Sequence, residues 1–167
     1  CFYPTDDIYQ DFDLLSDTIM LAEQANEIWT TWTNSPGSPE DVYISQDYST
    51  TGSNSLKLET GNSTDILLPL GDKISGRWNL SFKMYIPESY GAYFNVLHEF
   101  NQNLSNWAYD VYFSETGNGY ISIGGSNSSS ILLFNFDHDK WLDRNKTEIN
   151  TYFKKFAINK ILDGIKN

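Results

Sequence analysis

From Trp78 to Ile86 every second residue is large and apolar: Trp78, Leu80, Phe82, Met84 and Ile86 stand against Asn79, Ser81, Lys83 and Tyr85. Successive side chains of a β-strand point to opposite faces, so this alternation predicts a strand with one buried face. The next run repeats it, with Phe94, Val96, His98 and Phe100 on one side and Tyr93, Asn95, Leu97 and Glu99 on the other. A third sets Trp107, Tyr109, Val111 and Phe113 against Ala108, Asp110, Tyr112 and Ser114. The intervening residues 87–91, 101–106 and 116–119 are polar or carry glycine, which supplies the positive φ of tight turns. Three long antiparallel strands in a meander are expected.

Shorter strands are expected at 8–14, 29–33, 42–46, 55–59, 66–70, 120–124 and 131–136, separated by Gly, Ser, Asn and Pro. No strand-helix-strand rhythm appears, so the predicted class is all-β: a two-sheet antiparallel β-sandwich. Residues 14–27, with Leu14, Leu15, Ile19, Met20, Leu21 and Ala22, read as a loop with a helical turn. The tail from Lys146 reads as strands, with a hairpin around Asn159 and Lys160, although its lysines also suit a helix. Residues 126–130 read as a surface loop. One core accommodates 167 residues, so 8–167 is taken as a single domain after an N-terminal segment at 1–7.

Charge narrows the partners. A net charge of −11 repels phosphate backbones, so nucleic acid is not expected. Apolar runs stay far short of the ~20 residues that span a bilayer, so no transmembrane segment is expected. The single cysteine, Cys1, excludes an internal disulfide and a cysteine-based zinc site. A leading cysteine is also what remains after a bacterial lipoprotein signal is cut and the thiol lipidated; the alternative is a chain that merely begins there.

The ordered motifs Asp11-Phe12-Asp13, Trp29-Thr30-Thr31-Trp32-Thr33-Asn34-Ser35-Pro36-Gly37, Thr51-Gly52-Ser53-Asn54-Ser55-Leu56-Lys57-Leu58 and Met84-Tyr85-Ile86-Pro87 resemble a known module. The likeness continues through Gly91-Ala92-Tyr93-Phe94-Asn95-Val96, Trp107-Ala108-Tyr109-Asp110-Val111-Tyr112-Phe113 and His138-Asp139-Lys140-Trp141. The chain resembles the concanavalin-like, laminin-G-like jelly rolls of secreted and cell-surface Bacteroidetes proteins up to about Asp143. Beyond Trp141 the pattern departs from that module, and shortened closing strands are expected. The resemblance implies a jelly roll and an extracellular or outer-membrane location; it implies no particular ligand, because fold is not function.

If the three long strands are neighbours in one sheet, Lys83, Tyr85, Tyr93, Asn95, Glu99, Asp110 and Tyr112 share the face away from the core. Flat aromatic rings beside carboxylates and amides are what bind sugars. The plainer alternative is ordinary solvent-side strand residues. Trp32 joins the candidates, because Trp29 and Trp32 point opposite ways in a Thr-rich segment. Asp11, Asp13, Asp137 and Asp139 are candidate ligands for the structural calcium that such sandwiches often hold, although no contiguous calcium loop is present.

Three functions follow in order of preference. The first is a non-catalytic carbohydrate-binding module taking a polysaccharide or glycan. The second is an interaction or assembly subunit of an outer-membrane complex, anchored as a lipoprotein through Cys1. The third is a small glycoside hydrolase using Glu99 and Asp110, disfavoured because the Glu-x-Asp-x-x-Glu strand pattern is absent.

Overall fold

The structure is a computed structural model that describes residues 8–59, 63–71, 80–124, 130–143 and 157–163. A single helical turn, α1 (Leu21–Gln24), lies within the expected 14–27 loop. It is followed by short strands β1 (Thr30–Thr31), β2 (Ile44–Ser45), β3 (Ser55–Leu56), β4 (Ile66–Pro69) and β5 (Lys83–Tyr85). The long strands are β6 (Ala92–Glu99) and β7 (Asn106–Phe113), each eight residues. Then come β8 (Asn118–Ile123), β9 (Ser130–Asn135), β10 (Trp141–Asp143) and β11 (Ala157–Asp163). The class is all-β, and every pairing is antiparallel.

The main sheet runs β1-β4-β11-β6-β7-β8-β9, with β10-β5 and β2-β3 as separate ladders. Both ladders cover the same face of the main sheet. Met84 and Ile86, at and just beyond β5, pack with Leu142 against Phe94, Val111, Phe113 and Phe136. Val42, Ile44 and Leu56, from β2-β3 and the segment before it, pack with Leu21, Ala22 and Trp29 against Ile66 and Leu68 of β4. Each fully buried Met, Ile or Phe contributes roughly 1.5–3 kcal/mol, so these two clusters hold the layers together.

Two expectations change. β5 is not a neighbour of β6; it pairs with β10, Tyr85 facing Trp141 and Lys83 facing Asp143. The reason is that its apolar residues meet those of β6 across the core, so 87–91 carries the chain between layers instead of closing a hairpin. Residues 157–163, the described part of the tail, form one strand where a hairpin was expected around Asn159 and Lys160. Both edges of β11 are hydrogen-bonded, to β4 and to β6, so the chain cannot fold back at Asn159 and the irregularity there is a register shift.

One buried carboxylate ties the helical turn to the second layer. Asp41 is 3% exposed. Its Oδ1 accepts the Ala22 and Val42 N–H groups at 2.9 and 2.8 Å, and its Oδ2 those of Glu23 and Gly37 at 3.1 and 2.9 Å. Four backbone donors on one carboxylate leave no place for an amide, whose NH2 would confront two N–H groups. Asp41→Ala and the near-isosteric Asp41→Asn are therefore both expected to lower stability by about 3 kcal/mol. Chemical denaturation checks this, and an Asn variant as stable as the parent would contradict the arrangement.

Candidate ligand-binding face

The face of the main sheet turned away from the two ladders is built in rows by the strand register. Tyr93 of β6 stands opposite Tyr112 of β7, which stands opposite Tyr120 of β8. Their rings follow one another at centroid distances of 4.6 and 4.5 Å, the second pair stacked at 19°. Two residues further along comes a polar row, in which Asn95 faces Asp110 and Asp110 faces Ser122. A third row is apolar: Leu97 faces Trp107, and Trp32 stacks on Trp107 at 6.4 Å and meets Phe100 edge-on at 5.0 Å. Leu67 and Leu97 are fully buried beneath Trp32 and Phe100.

Strict alternation would put Trp107 in the core with Tyr109. Between Val96 and Leu97 the register shifts, with Tyr109 and Trp107 opposing consecutive residues of β6. Ala108 is the extra residue of a β-bulge, and one extra residue inverts the alternation beyond it. Trp107 is thereby carried to the side of Leu97 and Trp32, 37% exposed.

The polar row is buried: Asn95 is 2% exposed, Asp110 1% and Ser122 3%. Its hydrogen bonds form a directed chain. The Tyr93 hydroxyl donates its one hydrogen to Asp110 Oδ1. Tyr93 must therefore accept from Asn95, whose Nδ2 lies 2.9 Å away, and this fixes the orientation of the amide. What remains is Asn95 Oδ1 and Asp110 Oδ2, two buried acceptors without a hydrogen bond. Burial pushes the Asp110 carboxyl above its ordinary value, opposed by the Tyr93 and Ser122 hydroxyls. Burial also raises the Tyr93 hydroxyl, and the bond to Asp110 adds to this.

Of the residues expected on this face, Tyr93, Asn95, Asp110 and Tyr112 come together, and Trp32 closes its far end. Lys83 and Tyr85 do not, because β5 belongs to the other layer. There Tyr85 stacks on Tyr48 at 4.2 Å, approaches Trp141 at 5.6 Å and donates to Asp139 Oδ1 at 3.3 Å. Glu99 lies at the strand end, paired with Asn106, whose amide donates to it at 3.1 Å. Asp110 faces Asn95, four residues back along β6, so the backbone positions of the two carboxylate residues are about 13 Å apart at ~3.3 Å per residue. Retaining glycosidases need roughly 5 Å and inverting ones up to about 9.5 Å.

The calcium candidates are engaged singly. Asp13 accepts the Ser53 and Asn54 N–H groups at 3.1 and 3.2 Å, and Asp11 accepts that of Asp13 at 3.3 Å. Asp137 pairs with Lys140 at 3.0 Å, and Asp139 accepts from Glu88 N–H at 3.1 Å as well as from Tyr85. No group of three or more potential metal ligands occurs among the described residues. Cys1 lies outside them.

Tyr120 and Ser122 were missed although the signal was present: Tyr120, Ile121, Ser122 and Ile123 alternate as the neighbouring strands do. No family model, curated protein or solved structure matches the chain.

The Asp110 shift has a definite sign. A carboxyl whose folded pKa is raised contributes fully to stability below its unfolded value, and that contribution is lost as pH rises through the folded value. The melting temperature of Asp110→Asn minus that of the parent should therefore increase from pH 3.8 to pH 7. A constant difference in thermal melts across that range would contradict burial of the charge.

Proposed function

We propose that the chain is a non-catalytic glycan-binding module, a concanavalin-like jelly roll acting outside a bacterial cell or at its outer-membrane surface. The observation that carries this reading is the juxtaposition on one sheet face of a tyrosine row, a tryptophan row and, between them, two buried acceptors with no partner. Aromatic faces cover the apolar C–H patches of sugar rings, and fixed acceptors orient their hydroxyls. The wide separation of Glu99 from Asp110 supports binding without hydrolysis. Tyr120 and Trp107 are the exposed members of the two aromatic rows, at 36% and 37%. Tyr120→Ala and Trp107→Ala should each weaken binding about tenfold, the equivalent of about 1.4 kcal/mol. Affinity electrophoresis through soluble polysaccharides checks this; retardation by none of them rejects the reading.

A second reading, an interaction subunit of an outer-membrane complex tethered through a lipidated Cys1, is favoured by a different feature. β9 is the last strand of the main sheet, and Leu132, Leu133 and Ile123 beside it are 54%, 76% and 54% exposed. An uncharged, apolar edge strand is a surface on which another chain can pair. On this reading a stoichiometric complex survives mild detergent extraction, Leu133→Lys dissolves it, and Trp107→Ala, two strands away on β7, leaves it intact.

A further inference from the structure

The unsatisfied atoms of the polar row are one-sided in their chemistry. Tyr93 has spent its hydrogen on Asp110 and accepts with one lone pair from Asn95, and the Asn95 amide nitrogen is turned towards Tyr93. The two unpartnered atoms, Asn95 Oδ1 and Asp110 Oδ2, both accept and neither donates. They belong to residues directly opposed on adjacent strands, so they serve one ligand group with two neighbouring donors. At 1–2% exposure both residues are closed to solvent, so a ligand's donors reach them only as the side chains above give way. The ligand's donors must therefore project downward from a body resting on the aromatic rows.

The charges agree. Of the cations whose side chains are described, Lys57 is held by Asp47 and Glu59 at 2.8 Å each and Lys140 by Asp137. Lys83 is on β5 in the other layer. None of these three side chains stands on this face to receive an anion, and Asp110 would repel one in a poorly screened position.

We infer that this face takes a sugar presenting two adjacent hydrogen-bond donors and no negative charge, a neutral or amino sugar as opposed to a uronate or sulfated one. The inference rests on the glycan-binding reading and adds its selectivity. A vicinal diol satisfies both acceptors; an ammonium beside a hydroxyl does so with added charge assistance. A uronate or sulfated sugar keeps hydroxyl donors, but its carboxylate or sulfate offers only acceptors and brings a second negative charge close to Asp110.

Isothermal titration of the full chain against four sets of oligosaccharides of equal length tests this: neutral glucans, mannans and xylans; glucosamine oligomers; galacturonate oligomers; and sulfated galactans. Binding confined to the neutral or glucosamine arms is expected, and the arm that binds identifies the donor as hydroxyl or ammonium. Asp110→Asn, which replaces the free acceptor by an amide, and Tyr93→Phe, which releases the chain that aims both oxygens, should each weaken that binding tenfold or more. Both keep the parent's shape, and circular dichroism verifies that they fold. Binding of galacturonate or sulfated oligomers as tight as the neutral set, or unchanged affinity in both variants, overturns the inference while leaving glycan binding standing. Binding in no arm overturns both.

Discussion

The pairing of β6 with β7 is the constraint on which the remaining structure depends. Ala92, Tyr93, Phe94, Asn95 and Val96 meet Phe113, Tyr112, Val111, Asp110 and Tyr109 in unbroken register. Phe94, Val111 and Phe113 thereby face Met84 and Ile86 and close the core, while Tyr93, Asn95, Asp110 and Tyr112 are driven to the other side. A slip of β7 by one residue would turn Asp110 and Tyr112 into the core and Val111 and Phe113 out of it. The energetic demand for a closed core therefore fixes the candidate site as strictly as any contact within it. β8 extends the arrangement because Gly119 leaves room for Phe134: a Cβ there would run into that ring and into the Tyr112 carbonyl.

The polar row stands in tension with this economy. Burying an amide and a carboxylate costs several kcal/mol unless each polar atom is satisfied. The Asn95–Tyr93–Asp110 chain satisfies one atom of each residue and leaves one of each without a partner. Valine or threonine at these positions would pair across the strands at lower cost. A sheet shaped by stability alone has no use for such a row, whereas a site that must meet a polar ligand needs acceptors already desolvated and aimed before the ligand arrives.

Period-two patterning made the all-β class, the pairing of β6 with β7 and the outward placement of Tyr93, Asn95, Asp110 and Tyr112 legible in the sequence. It failed where long-range geometry decides. Lys83 and Tyr85 alternate as well as any strand, but alternation states which side of a strand a residue occupies and not which sheet the strand joins. β5 turned away because a second layer was needed over Phe94 and Val111. The tail was equally opaque: nothing local in Ala157-Ile158-Asn159 announces a strand inserted between β4 and β6, since the pairing is supplied by residues about 60 to 90 positions earlier.

Ala108 combines both kinds of failure and explains how the site acquires its second aromatic row. A regular β7 would put Ala108 beside Leu97 and send Trp107 into the core. The bulge exchanges them, and a bulge also sharpens the local twist of the strand that carries it. Trp107 then finds Trp32, brought from β1 at the opposite edge of the sheet, and the two rings cap Leu67 and Leu97. The buried acceptors thus lie between a tyrosine row set by regular register and a tryptophan row set by its interruption. The irregularity that hides Trp107 from the sequence pattern is the one that brings it to the outer face of the main sheet.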